Sequence, residues 1–267
     1  MYTQHYRIRD AHKGNPERTV IVHATPDEIA QFVRDGFLVR KQAVSSEQVQ
    51  KLRDAVDEVA ERERNFASSW GVFLRQLLDK HPAFLEMLTF EPTLSVARAL
   101  LGPSVQFRNF TARISYPEAS TPQETTWHFH QRLIPDPIPP FFSRPQTIDC
   151  LLYLDPANEA NGPLCVIPGS HQWMERDLSD GITEDWEGQI VLQPEAGDIV
   201  MVHGATWHRA MPTRPDGTVR RLLILGYSPT WMQRSIFGEK PENALADPLR
   251  QSDDPEIREL LGLDGYY

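Results

Sequence analysis

The chain has 267 residues, 40% of them hydrophobic and 9% aromatic, and a formal net charge of −10. That is enough apolar material for a sizeable core, and the length suits one large domain or two small ones. No run of Lys or Arg breaks the acidic balance, which argues against nucleic acid as a partner, and no apolar run approaches the about 20 residues that span a bilayer.

Residues 1–24 read as an ordered or semi-ordered arm, and 1–15 are polar without the apolar segment of a secretory signal. A cytoplasmic location is therefore expected. Cys150 and Cys165, the two cysteines, are expected as buried reduced thiols rather than a disulfide scaffold. Thr25-Pro26-Asp27-Glu28 places an N-cap, a proline and two acids at a helix start; the helix runs through Ile29, Phe32 and Val33 and stops at Gly36. Phe37-Leu38-Val39 reads as a short strand. Ser45-Ser46-Glu47-Gln48 opens a second helix with Val49, Leu52, Val56, Val59 and Ala60 at helical spacing. Phe73, Leu74, Leu77 and Leu78 carry further helical signals, as do Leu94 to Leu101, closed by Gly102-Pro103.

From about 105 the texture changes to short β-type runs at 105–108, 112–116, 126–130, 148–154, 164–167, 189–192, 199–203 and 221–227, punctuated by turn residues. The proline-rich stretch 135–145 reads as a stiff loop, the acidic stretch 177–188 as a candidate lid, and 213–218 as a turn. The tail is polar until a short terminal helix at 257–263. This order predicts a mainly β fold with flanking helices, a sandwich or barrel in one domain over 1–267. A mostly helical part (1–104) would pack on a β core (105–230), followed by a tail (231–267).

The chemistry concentrates in Trp127-His128-Phe129-His130-Gln131. On a strand, residues two apart share a face, so His128 and His130 point the same way. With His208 from a distant strand, three imidazoles would occupy one side of an octahedral metal and leave the other side open for a chelating co-substrate and O2. Sites of this kind ordinarily combine two histidines with one carboxylate; here a histidine stands in the carboxylate's place. Glu124 would reach the same face if the strand extends back. His203 and His171 read as structural.

Further signatures follow: Leu154-Asp155, then Asn161-Gly162-Pro163-Leu164, then Val166-Ile167-Pro168-Gly169-Ser170-His171, then Gly197-Asp198-Ile199-Val200 leading to His208 and Arg220-Arg221. In this order and spacing, over roughly 25–265, the chain resembles the phytanoyl-CoA dioxygenase family of Fe(II)- and 2-oxoglutarate-dependent oxygenases. The resemblance implies a double-stranded β-helix, a cupin-like jelly roll with Fe(II) at its open end. It implies His128 as first ligand, His208 as last, and Arg220 as the clamp on the distal carboxylate of 2-oxoglutarate, a task suited to a planar, permanently charged fork. Arg221 points to the other strand face. The chain departs from the family at His130, where an acid is usual, and at Ala210, where a small hydroxyl residue is common; the segment before Arg220 is also slightly longer. Aligning His130-Gln131-Arg132 to the motif instead would set the Arg132 cation beside the metal, which is repulsive.

The expected activity is oxidation of a C–H bond of a small molecule, most simply hydroxylation in specialised metabolism, with Fe(II), 2-oxoglutarate and O2. The alternatives are a three-histidine iron dioxygenase that does not use 2-oxoglutarate and a non-catalytic metal-binding relative. Three imidazoles also relax metal choice toward Zn, Cu and Ni. Arg113, Arg132, Phe141, Phe142, Trp207 and Trp231 are the candidate substrate contacts, and a monomer or homodimer is expected.

Overall fold

The strands sort their side chains into two cores, one on each side of a large sheet. The computed structural model describes residues 3–8, 18–63, 67–68, 71–117, 122–130, 137–141, 146–173, 182–232 and 245–263. Within them, β3 (Phe37–Arg40), β10 (Ile199–His203), β7 (Ile148–Tyr153), β12 (Arg220–Pro229), β6 (Val105–Ser115), β5 (Gly71–Leu74) and β4 (Ala67–Ser68) lie side by side in that order in an antiparallel sheet. A second sheet has the order β11 (His208–Ala210), β8 (Leu164–Val166) and β9 (Ile190–Leu192). A hairpin of β1 (Gln4–Ile8) and β2 (Arg18–Val22) stands apart from both.

Side chains alternate along a strand, so neighbours in sequence serve opposite cores. Cys150, Leu152, Ile199, Met201, Leu223 and Leu225 face outward onto the helices. Leu151, Tyr153, Val200, Val202 and Leu222 face inward onto Leu164 and Val166 of the smaller sheet. Each fully buried leucine contributes roughly 1.5–3 kcal/mol. The result is a jelly roll with helices covering the outer face of its larger sheet.

Those helices start and stop where local chemistry dictates. In α1 (Pro26–Asp35) the Thr25 hydroxyl accepts from the Glu28 amide at 3.2 Å, and Glu28 Oε2 accepts from the Thr25 amide at 2.7 Å. Gly36 ends it with φ 78°, a left-handed conformation that glycine adopts without strain. In α2 (Ser46–Arg62), Ser45 caps the start, and Val49, Leu52, Ala55, Val56 and Val59 form the buried stripe. Together with α3 (Glu91–Leu101) these helices close the outer core. The terminal helix is Pro255–Leu260. Among the described residues no helix is long and apolar enough to cross a membrane.

Several elements differ from the sequence expectation. The arm over 1–24 contains the β1–β2 hairpin. Phe73 and Leu74 lie on β5, paired with Arg113 and Ala112, because a β partner was available that local apolar spacing does not reveal. The runs at 105–108 and 112–116 are one continuous strand. The run at 126–130 is not a strand: it contributes a single bridge, His128 to His208. Its other amides bond elsewhere, Trp127 to Ile182 O and His130 to Gly204 O. Cys150 and Cys165 are buried and unlinked.

Candidate metal centre

His128 and His208 face each other across that bridge. Each amide donates to the other residue's carbonyl, at 3.0 and 2.9 Å, which places both side chains on one side of the backbone. His130, two residues on, joins them. The ring centroids are 4.4 Å apart for His128 and His208, 4.7 Å for His130 and His208, and 5.5 Å for His128 and His130. One nitrogen from each ring lies within 4.8 Å of the others. His208 is buried, His128 half-buried and His130 exposed, so the cluster opens toward solvent on the His130 side. Glu124 is not in this group.

The hydrogen bonds fix which nitrogen each ring offers. His128 Nδ1 donates to Thr126 O and His208 Nδ1 to Thr206 O, each at 2.8 Å. A carbonyl oxygen only accepts, so Nδ1 carries the proton and Nε2 the lone pair. His130 Nδ1 donates to Asp149 Oδ2 at 2.6 Å, with the same consequence. Burial, and then the neighbouring His128 and His130, hold the His208 imidazole well below its ordinary 6.5, so it is neutral at pH 7. Three imidazole nitrogens, each oriented by a bond at its ring's other nitrogen, fit a divalent transition metal such as Fe(II), and equally Ni or Zn.

The turn that carries His208 is braced from several sides. The Thr206 hydroxyl donates to Gly36 O at 2.9 Å, and the His203 amide donates to the same oxygen at 2.8 Å. Ser170 Oγ accepts from the Trp207 amide at 2.9 Å and donates to Ile167 O, which is what the Pro168 to His171 signature does locally. His171 Nε2 lies 3.1 Å from Val33 O, and His203 Nδ1 accepts from the Ala205 amide.

Arg220 lies on the inner face of β12 at 1% exposure. Its Nη2 donates to Ser115 Oγ at 3.0 Å, and its buried Nε has no hydrogen-bond partner among the described residues. An orphaned donor on a buried guanidinium fits a carboxylate ligand. Gly162 packs against it; a Cβ there would come 3.0 Å from Arg220 Nη1 and overlap Met211 O, which accounts for the glycine of Asn161-Gly162. Arg221, on the outer face, pairs with Asp57 and Asp155. Arg113 shares the inner face with Arg220 and is buried; desolvation, and then the Arg220 charge, push its guanidinium down to about 9.

The other predicted contacts are not gathered at the histidines. Trp207, 1% exposed, packs with Trp127 and Phe129 in a separate cluster, its ring edge-on to Phe129. Phe141 and Trp231 are exposed. Arg132 and Phe142 lie outside the described residues, as do parts of the proline-rich loop and the acidic stretch.

Sequence reasoning missed Asp149 and Arg108. Burial alone would push the Asp149 carboxyl up, but the Arg108 guanidinium and the hydrogen bond from His130 outweigh it and hold the carboxyl well below the usual range. The signal was present: Asp149 is the one charged residue in an otherwise apolar, fully buried strand, where a carboxylate persists only if paired.

A β-sandwich of this topology with a three-nitrogen cluster at its mouth belongs to the jelly-roll oxygenase fold. The sequence model of the phytanoyl-CoA dioxygenase family matches residues 32–222, and the chain belongs to that family. It is similar to the dioxygenase af480 of Aspergillus fumigatus, 26% identical over 67% of this chain and 54% of that protein. An ectoine dioxygenase of Bordetella parapertussis is 28% identical over 55% of this chain and 49% of its own length. The chain thus spans about half the length of these two relatives. Among solved structures, HygX from Streptomyces hygroscopicus with nickel and 2-oxoglutarate bound has a TM-score of 0.64 at 17% identity, covering 79% of this chain and 89% of that one.

Proposed function

We propose that this chain is an Fe(II)- and 2-oxoglutarate-dependent oxygenase that oxidises a C–H bond of a small molecule, most simply by hydroxylation. The observation that carries the reading is the convergence of His128, His130 and His208, each with Nδ1 hydrogen-bonded and Nε2 left as donor. When bound, Fe(II) with O2 supplies the oxidising power, and oxidative decarboxylation of 2-oxoglutarate to succinate and CO2 accompanies insertion of one oxygen atom into the substrate. The chain's own residues do the rest. The three imidazoles hold the metal from one side, and Arg220 takes the distal carboxylate of 2-oxoglutarate through its unpartnered Nε. The inner-face residues Leu151, Val200, Val202 and Leu222 form an apolar cluster with Val166, which pairs with His208.

Family membership and the jelly roll support this reading, as does a structural neighbour that holds nickel and 2-oxoglutarate. The ectoine dioxygenase relative supports a small-molecule substrate. We place residues 1–267 in one oxygenase domain, acting in the cytoplasm as a monomer or homodimer.

The test is anaerobic addition of Fe(II) and then 2-oxoglutarate. A metal-to-ligand charge-transfer band, followed by succinate release on admitting O2, is the expected outcome. Oxidised substrate without succinate would replace this reading with a three-histidine dioxygenase independent of 2-oxoglutarate. No metal binding would leave a protein outside this chemistry.

A further inference from the structure

We propose that Asp149, anchored by Arg108, is the positioning residue of the metal centre, and that its carboxylate does from behind His130 part of what a carboxylate ligand does elsewhere in this class. The inference rests on the reading of the three histidines as ligands.

The three rings are not held alike. His128 and His208 are steered by backbone carbonyls, which are neutral. The His130 ring is steered by a carboxylate side chain, at 2.6 Å, and it is His130 that stands where an acid would be expected. Asp149 has a side-chain exposure of 2%, so its charge is little screened. A carboxylate in this position locks the imidazole tautomer, orients the ring and makes its other nitrogen a stronger donor to a metal. The anionic group missing from the ligand set is thus still in the site, one hydrogen bond further out.

The fold is adapted to hold it there. Arg108 Nη2 lies 2.8 and 2.9 Å from the two Asp149 oxygens. Arg108 reaches them because the β12–β6 register shifts between Gly226 and Tyr227: Gly226 pairs with Asn109 and Tyr227 with Phe107, which leaves Arg108 as the extra residue. An irregularity of this kind re-aims a side chain that regular alternation would direct elsewhere. Asp149 stands opposite Gly226 on the neighbouring strand. A Cβ at Gly226 would come 2.9 Å from Asp149 Oδ1 and overlap Asn109 Oδ1. The glycine clears room for the carboxylate.

The experiment is Co(II) titration of the full chain without co-substrate, read by calorimetry and by visible absorption of the bound ion. Wild type, Asp149→Asn, His130→Asp and the double variant are compared. Asn keeps the shape and removes the charge, so Asp149→Asn is expected to weaken Co(II) binding about 10–100-fold and shift the absorption bands. In the His130→Asp background a carboxylate already ligates, and the same Asn substitution should no longer weaken binding. Affinity within twofold of wild type and an unchanged spectrum for Asp149→Asn would overturn the inference, as would equal weakening in both backgrounds. Absence of Co(II) binding by wild type would instead overturn the ligand reading beneath it. If Asp149→Asn loses its native circular dichroism, Arg108→Met carries the test: it keeps the His130–Asp149 pair but removes the anchor, so a several-fold loss of affinity supports the proposal and no loss overturns it.

Discussion

Arg220 shows how a single residue's surroundings define its task. It is a cation at 1% exposure whose hydrogen bonding is incomplete, with Ser115 on one nitrogen and no partner on Nε among the described residues. Burying a charge this way is costly unless an anion arrives. Hydrogen bonds to charged groups contribute about 1.5–3 kcal/mol, so Arg220→Met should raise the Kd for 2-oxoglutarate roughly 10–100-fold. Metal affinity should hold near wild type. Titrating 2-oxoglutarate against the charge-transfer band of the Fe(II)-loaded protein checks this; unchanged affinity would remove Arg220 from the site. The opposite facing of Arg220 and Arg221 was legible in sequence from strand alternation, while the task of Arg220 came from the family resemblance. The three histidines were legible from motif and spacing, although 126–130 forms a single bridge and not the strand that the spacing argument assumed. Asp149 and Arg108 were not: their partnership depends on which strands adjoin and on a register shift between β12 and β6, neither of which local spacing encodes.

At the scale of elements, the end of α1 is tied to the turn before β11. Gly36 O accepts from the His203 amide and the Thr206 hydroxyl, and the Gly169 amide donates to Asp35 O. Thr206 O in turn orients the His208 ring. A Cβ on Gly36 would overlap His171 Nδ1 and Thr206 Oγ1, and the residue's φ is 78°. Gly36→Ala should therefore destabilise the protein by about 2–4 kcal/mol, combining left-handed backbone strain with steric overlap. It should also weaken metal binding, because the displaced turn carries a ligand. Urea denaturation and Co(II) titration of the same variant check both; a loss of stability with unchanged Co(II) affinity would show the two are uncoupled. The helix and its glycine stop were readable from Thr25-Pro26-Asp27-Glu28 and Gly36. Its attachment to a segment so distant in sequence was not.

For the whole molecule, a metal held by residues from distant parts of the chain binds the folded state alone, since the unfolded chain does not assemble the three imidazoles. Ligand at a hundred times its Kd then stabilises by about 2.7 kcal/mol. For a chain of this size that corresponds to a Tm rise of roughly 5–10 °C. Differential scanning calorimetry with Fe(II) or Co(II) under anaerobic conditions, then with a chelator, checks this; a Tm indifferent to both would mean the histidines hold no ion. The architecture was readable at this scale because many short β runs follow an N-terminal helical region. The β1–β2 hairpin and the pairing of β5 were not, since each depends on contacts made only in the assembled molecule.

Adjacent arginines on β12 look in opposite directions, one into the roll and one toward α2. A one-residue insertion inside that strand would exchange them, sending Arg221 inward without its two aspartates and turning the leucines inside out. The turn at 213–218 is anchored at Thr213 by its bridge to Asn161, but its exposed tip, residues 214–216, faces neither core. Length variation during divergence should therefore accumulate at that tip and be purged from the strand beside it.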